Sequence, residues 1–143
     1  MANSLTNYGQ EVALFSDKNK ASGSVTNAGG VANMGTKLKL YASTSTPSVL
    51  GTGFTEVSNG NGYTTGGIAL TTSSFTLSVV SGSAQVQISD QTWSASGGSI
   101  ANIGGVYLTD ANDNVLAWWE RTTALTLASG DSMVADDLTV RLV

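Results

Sequence analysis

The sequence predicts an all-β fold, an antiparallel, jelly-roll-like β-sandwich with an N-terminal arm or short helix, on three observations. Apolar and polar residues alternate with a period of two from Lys37 onward, Gly, Asn, Asp and Ser cluster between the alternating runs, and no interval of the body offers a crossover helix. Charged residues make up only 11% of the chain, against about a quarter in an average soluble domain, so neutral hydroxyl and amide groups carry the polarity. At 143 residues, of which 41% are hydrophobic, the chain suffices for one core.

The first stretch, Ser4 to Phe15, reads as a short helix with Tyr8, Val12 and Phe15 on one face, weakened by Gly9. The alternative is an extended arm whose Val12-Ala13-Leu14-Phe15 segment pairs as a strand. Ala21 to Gly35, rich in Gly, Ser, Asn and Ala, reads as a linker. Residues 1–35 are therefore assigned to an arm and linker, and 36–143 to the sandwich body.

Lys37 to Tyr41 is a half-buried strand, with Leu38 and Leu40 facing one way and the lysines and Tyr41 the other. Ser43 to Gly53, which holds the only proline, is a loop. Asn59-Gly60-Asn61-Gly62 is a doubled hairpin-turn signal, and Tyr63 to Leu70 follows as a strand bulged at Gly66-Gly67. Phe75 to Val79 and Gln85 to Ile88 alternate cleanly around Ser81-Gly82-Ser83. Then come Trp93, a loop from Ser94 to Ser99, and Ile100 to Leu108, interrupted by Gly104-Gly105. Asp110-Ala111-Asn112-Asp113-Asn114 turns the chain into Asn114 to Arg121, and Ser129-Gly130-Asp131 leads to Met133 and the final strand, Leu138 to Val143. The inward members of these strands, among them Leu38, Leu40, Phe75, Ile88, Val106, Leu116, Trp118 and Leu138, supply the core.

Trp118 and Trp119 are neighbours, and neighbouring strand residues face opposite sides of the sheet. If Leu116, Trp118 and Glu120 turn inward, then Ala117, Trp119 and Arg121 turn outward. Covering such a ring, roughly 150 to 250 Å², is worth about 4 to 6 kcal/mol as an upper bound. Aromatic plus arginine is the pairing enriched at protein interfaces, which makes Trp119 and Arg121 interface candidates. Packing of Trp119 beneath the arm or another loop of the same chain is the competing reading. Tyr41, outward beside the lysines, and Tyr8 and Phe15, on the arm, are further interface candidates.

Chemistry is poorly represented. The chain has no histidine and no cysteine, which removes the commonest general base, the commonest transition-metal ligands and any disulfide. Adjacent Asp136 and Asp137 would point apart in an extended chain, which suits a solvated turn better than an acid–base pair. Asp110-x-Asn112-x-Asn114 has the outline of a calcium loop, but Val115 stands at its glycine position and Arg121 at its terminal glutamate. A turn built from Asx side chains fits better. Gly51-x-Gly53 and Gly60-x-Gly62 lack the rest of a nucleotide-binding fingerprint, and Ser96 beside Gly97-Gly98 has no base to activate it. No catalytic, cofactor or metal residues are assigned, and an enzyme is not expected. A net charge of −4 argues against nucleic acid, and no apolar run approaches a membrane span. The N-terminus lacks the cationic and apolar regions of a leader, which predicts synthesis and assembly in the cytoplasm.

A set of turn-and-strand motifs adds a setting: Phe54-Thr55-Glu56-Val57 with Gly62-Tyr63, Thr92 to Gly98, Gly105 to Asp110, Leu116 to Arg121, Ser129-Gly130-Asp131, and Asp137 to Val140. In order and spacing, over roughly Leu38 to Val143, the chain resembles small tailed-bacteriophage virion proteins of the head-decoration (cement), head-fibre or tail-fibre type. The resemblance implies a β-sandwich virion subunit, homotrimeric, on the capsid surface and in contact with the major capsid protein, made in the host cytoplasm. A decoration protein that binds between capsomers and stabilises the shell is the leading expectation. The alternative is a head-fibre or tail-fibre module that recognises a host receptor or glycan. Ala21 to Gly35 departs from the family pattern, and the longer arm is expected to reach a neighbouring subunit.

Overall fold

In the computed structural model, which describes residues 3–5, 36–80 and 83–141, the alternating runs become β-strands and no α-helix occurs among the described residues. Among the described residues ten strands follow in chain order. They are β1 (Asn3–Leu5), β2 (Lys37–Ala42), β3 (Ile68–Ala69), β4 (Phe75–Val80), β5 (Ser83–Ile88), β6 (Gln91–Ser94), β7 (Ile100–Thr109), β8 (Val115–Leu127), β9 (Ser132–Ala135) and β10 (Leu138–Arg141). A 3₁₀ turn, Thr72–Ser74, leads into β4. The sheets have the orders β1-β8-β7-β2-β3, β10-β5-β4 and β6-β9, and every pairing is antiparallel.

One core lies between the five-stranded sheet and the two smaller ones, as an antiparallel sandwich requires. It joins Leu38, Leu40, Val106, Leu108 and Trp119 of the large sheet to Phe75, Ile88, Leu138 and Val140 of the second, and to Trp93, Met133 and Ala135 of the third. The alternation expected of β2 holds: Leu38 and Leu40 enter this core, while Tyr41 belongs to a separate cluster on the opposite face.

The turns follow their local chemistry. Gly60 and Tyr63 exchange N–H···O bonds of 2.8 and 2.9 Å around Asn61 and Gly62, whose φ values of 55° and 94° are those of a primed hairpin turn. Asp110 closes the β7–β8 turn: its Oδ1 accepts from the amides of Asn112 (2.8 Å) and Asn114 (2.9 Å), and its Oδ2 from Asn114 Nδ2 (3.0 Å). The expected Asx-built turn is thus present.

Two expectations need correction. Tyr63 to Leu70 is not a bulged strand, because only Ile68 and Ala69 are extended; positive φ at Gly66 (95°) and Gly67 (67°) turns the chain just before them. Ser4 and Leu5 do not begin a helix but belong to β1, which lies along β8 with Asn3 opposite Trp119 and Leu5 opposite Ala117. Part of the segment assigned to the arm is therefore an edge strand of the body's own sheet. The rest of the Ser4 to Phe15 helix and the linker fall outside the described residues.

Candidate functional site

The two tryptophans divide as alternation demands, but with the faces exchanged. Trp119 is 0% exposed within the sandwich core, and its indole Nε1 donates to the carbonyl of Thr139 on β10 at 3.3 Å. Trp118 lies on the outer face of the large sheet with Tyr41, Tyr107 and Val115. The cause is a register shift where β7 pairs β8: Leu108 faces Ala117 while Thr109 faces Val115, which leaves Leu116 as an inserted residue. Such a bulge puts two consecutive residues on one side, so Leu116 and Ala117 both enter the core and the phase beyond them reverses. Trp119 is therefore corrected from contact residue to core anchor, and Trp118 from core to outer face.

Arg121 does share the side of Trp119, but at the border of the interior. Its Nε donates to Thr123 O at 3.3 Å and its Nη1 points to Met133 Sδ at 4.0 Å. Half-buried in this way, it is tied within its own chain. Tyr41 is also corrected as a contact residue, because it is buried under intrachain neighbours: its ring meets Phe54 edge-on at 5.6 Å and Tyr107 at 6.1 Å. Phe54 in turn stacks on Tyr107 at 5.1 Å and meets Trp118 at 5.7 Å. Tyr8 and Phe15 lie outside the described residues.

Beside this aromatic cluster, Lys39 is buried on the same face, its Nζ 2.9 Å from Asp113 Oδ1, 3.6 Å from Glu56 Oε2 and 5.8 Å from the centre of the Tyr107 ring. Lys37 reaches the same Asp113 oxygen at 3.0 Å. Glu56 Oε1 accepts from the Tyr63 hydroxyl at 2.8 Å and from the Gly66 amide at 2.6 Å. That hydroxyl also accepts from the Leu40 amide at 3.2 Å. It fills the gap along β2 between β3, which pairs Lys37 and Leu38, and the bridge from Tyr41 to Glu56. The two lysines hold the Asp113 carboxyl below its ordinary range, and burial pushes the phenols of Tyr63 and Tyr107 up. These charges bind loops to the sheet. Asp136 and Asp137 are exposed between β9 and β10, and among the described residues no three His, Cys, Asp or Glu side chains gather as a metal site would need.

The segment that delivers Phe54 to the outer face is itself a braced hairpin. Ser43 N donates to Asn102 O (2.7 Å), Ala42 N to Thr55 O (2.8 Å), Thr46 N to Gly53 O (2.9 Å), Ser48 N to Thr52 O (3.1 Å) and Gly51 N to Ser48 O (2.9 Å). Ser48 Oγ accepts from Leu50 N at 3.1 Å and shares a bond with Thr52 Oγ1 at 3.2 Å. Gly53 is required here: its φ is +85°, and a Cβ on it would stand 1.9 Å from Thr46 O. At the tip, Val49 is 51% and Leu50 73% exposed. Residues 43–55 carry no charge.

The periodicity of two passes over this tip because the segment is a loop; its signal is two large apolar residues set between Pro47 and Gly51-x-Gly53 in a stretch otherwise made of hydroxyl side chains. The chain thus offers a convex apolar point on a fixed base, and the aromatic–arginine face expected at Trp119 is interior. Comparison with family models, with curated proteins and with solved structures returns no match.

Proposed function

We propose that this chain is a structural virion protein of a tailed bacteriophage, a decoration protein that binds the outer capsid surface between capsomers, as a homotrimer in contact with the major capsid protein. The observation that carries the reading is what the motifs of the resemblance do in this fold. Phe54 caps the outer aromatic cluster, Glu56 ties three elements together, Trp93 fills the core, Asp110 closes the β7–β8 turn, and Trp118 and Trp119 pack the two faces of β8. The residues that carry the resemblance are thus framework residues of the sandwich, and a well-braced framework suits a shell-binding subunit.

Binding the assembled shell and not its separated subunits shifts the disassembly equilibrium by linkage, with avidity when several subunits engage at once. No bond is made or broken. Quantitative mass spectrometry of purified virions tests the reading: hundreds of copies per particle are expected, and a handful at one vertex or on the tail would overturn it.

A further inference from the structure

Lys39 carries a buried amine that shell binding does not use, and it stands among groups arranged for more than an ion pair. Its Nζ lies 3.6 Å from Glu56 Oε2, with only 7% of the lysine and 20% of the glutamate side chain exposed. The other carboxyl oxygen, Oε1, is held by two donors, the Tyr63 hydroxyl at 2.8 Å and the Gly66 amide at 2.6 Å. A second carboxylate, Asp113, reaches Nζ at 2.9 Å. An amine beside a shielded carboxyl, two donors on one carboxyl oxygen and a separate proton acceptor on the amine are the parts that acyl transfer needs.

The geometry points to a covalent cross-link: Lys39 Nζ condenses with the Glu56 side-chain carboxyl to form an isopeptide bond, with release of one water. One ammonium proton passes from Nζ to Oε2, which leaves an amine facing a carboxylic acid. Nζ then attacks Cδ, the Tyr63 and Gly66 donors hold the negative charge that develops on Oε1, and Asp113 takes a second proton from the nitrogen. Asp113 returns that proton to Oε2 as the Cδ–Oε2 bond breaks. Ammonium and carboxylate thus become amide and water with no other reactant. Held side by side, the two groups react as parts of one molecule, and their shielding limits hydrolysis of the product. Burial keeps the Tyr63 phenol protonated, and its oxygen accepts from the Leu40 amide at 3.2 Å, which strengthens it as a donor. Asp113 is the poorer site of attack, because its side chain is 58% exposed and also engages Lys37.

The ion pairs are those of the newly folded chain, and the amide is its product on ageing. The bond closes residues 39–56 into a ring and ties the segment that bears Phe54 to β2, a constraint that persists in the unfolded chain. It stands independently of shell binding.

The test holds the full-length protein folded at neutral pH, samples it over days and measures intact mass after denaturation. A species lighter by one water should accumulate, and its proteolytic digest should contain a branched peptide that joins Lys39 to Glu56. Lys39→Arg should not lose this water, while Tyr63→Phe and Asp113→Asn should form the link at least roughly tenfold more slowly. The branched peptide of the wild-type chain is a readout that needs no variant to fold. Wild-type protein that keeps its full mass overturns the cross-link, as does water loss that persists in Lys39→Arg. A branched peptide through Asp113 overturns the assignment of Glu56, and a folded Tyr63→Phe or Asp113→Asn protein that links as fast as wild type overturns the role given to that side chain.

Discussion

Trp119 ties the two layers of the sandwich with one side chain, burying its ring in the core while its N–H reaches the β10 backbone. Trp119→Ala should therefore lower stability by about 3 to 5 kcal/mol, read as a shift of the denaturant midpoint. Loss of partner binding with unchanged stability would contradict the core assignment. Glu56 and Lys39 respond differently, though they touch. Glu56→Ala strands the Gly66 amide and removes the acceptor of the Tyr63 hydroxyl, a loss of about 2 to 3 kcal/mol by equilibrium unfolding. Lys39→Met keeps the packing volume and leaves Glu56 with both hydrogen-bond donors and Asp113 with Lys37, but it strips the largely buried Glu56 carboxylate of its cation and should cost about 1 to 3 kcal/mol. Gly105 is needed for close approach: a Cβ there would stand 2.2 Å from Trp119 O and 2.6 Å from the Tyr41 hydroxyl, which lies over β7 at that point.

At the scale of elements, the tip hairpin depends on its glycine. Gly53→Ala places a side chain in left-handed backbone, which alone costs about 1 to 2 kcal/mol, and drives its Cβ into Thr46 O. The hairpin should open locally, so hydrogen exchange at Thr46, Ser48 and Gly51 should rise while the amides of β7 and β8 stay protected. Equal acceleration throughout would mean that the hairpin unfolds only with the whole sandwich. The β8 bulge is the second deciding element. A strand usually declares its core-facing residues through alternation, and β2 does, although both of its faces are covered; β8 does not, because the extra residue at Leu116 breaks its phase. The face of Trp119 was therefore hidden in the sequence, although the pairing of Trp119 with Arg121 and of Trp118 with Glu120 on opposite sides was legible.

For the whole molecule, pH dependence follows from groups on the outer face. Lys39 and Lys37 depress the Asp113 carboxyl, so its contribution is full above the ordinary aspartate value of about 3.9 and is lost as pH falls through the lower value of the folded state. Burial, with Glu120 nearby, pushes the Tyr41 phenol up to about 12. The fold needs that phenol neutral, so this contribution is full below the unfolded value of about 10 and is lost as pH rises towards the folded one. Stability should be flat between about pH 5 and 9 and fall on both sides. Asp113→Asn, which tolerates the φ of 64° at this turn, should flatten the acid side alone. Phenolate absorbance rising well below the alkaline unfolding transition would contradict the burial of Tyr41, Tyr63 and Tyr107.

The sequence by itself determined the all-β class, the inward and outward faces of β2, the primed turn at Asn61-Gly62 and the Asx turn at Asp110, because each is written in a few consecutive residues through strand period or turn conformation. Tertiary structure alone decided which tryptophan is interior, that Asn3–Leu5 lies along β8, that Gln91–Ser94 pairs with Ser132–Ala135, and that residues 43–55 stand as a braced hairpin with an apolar tip. The reason is physical: a bulge or a distant pairing is set by the strand opposite, and one inserted residue exchanges the faces of everything beyond it.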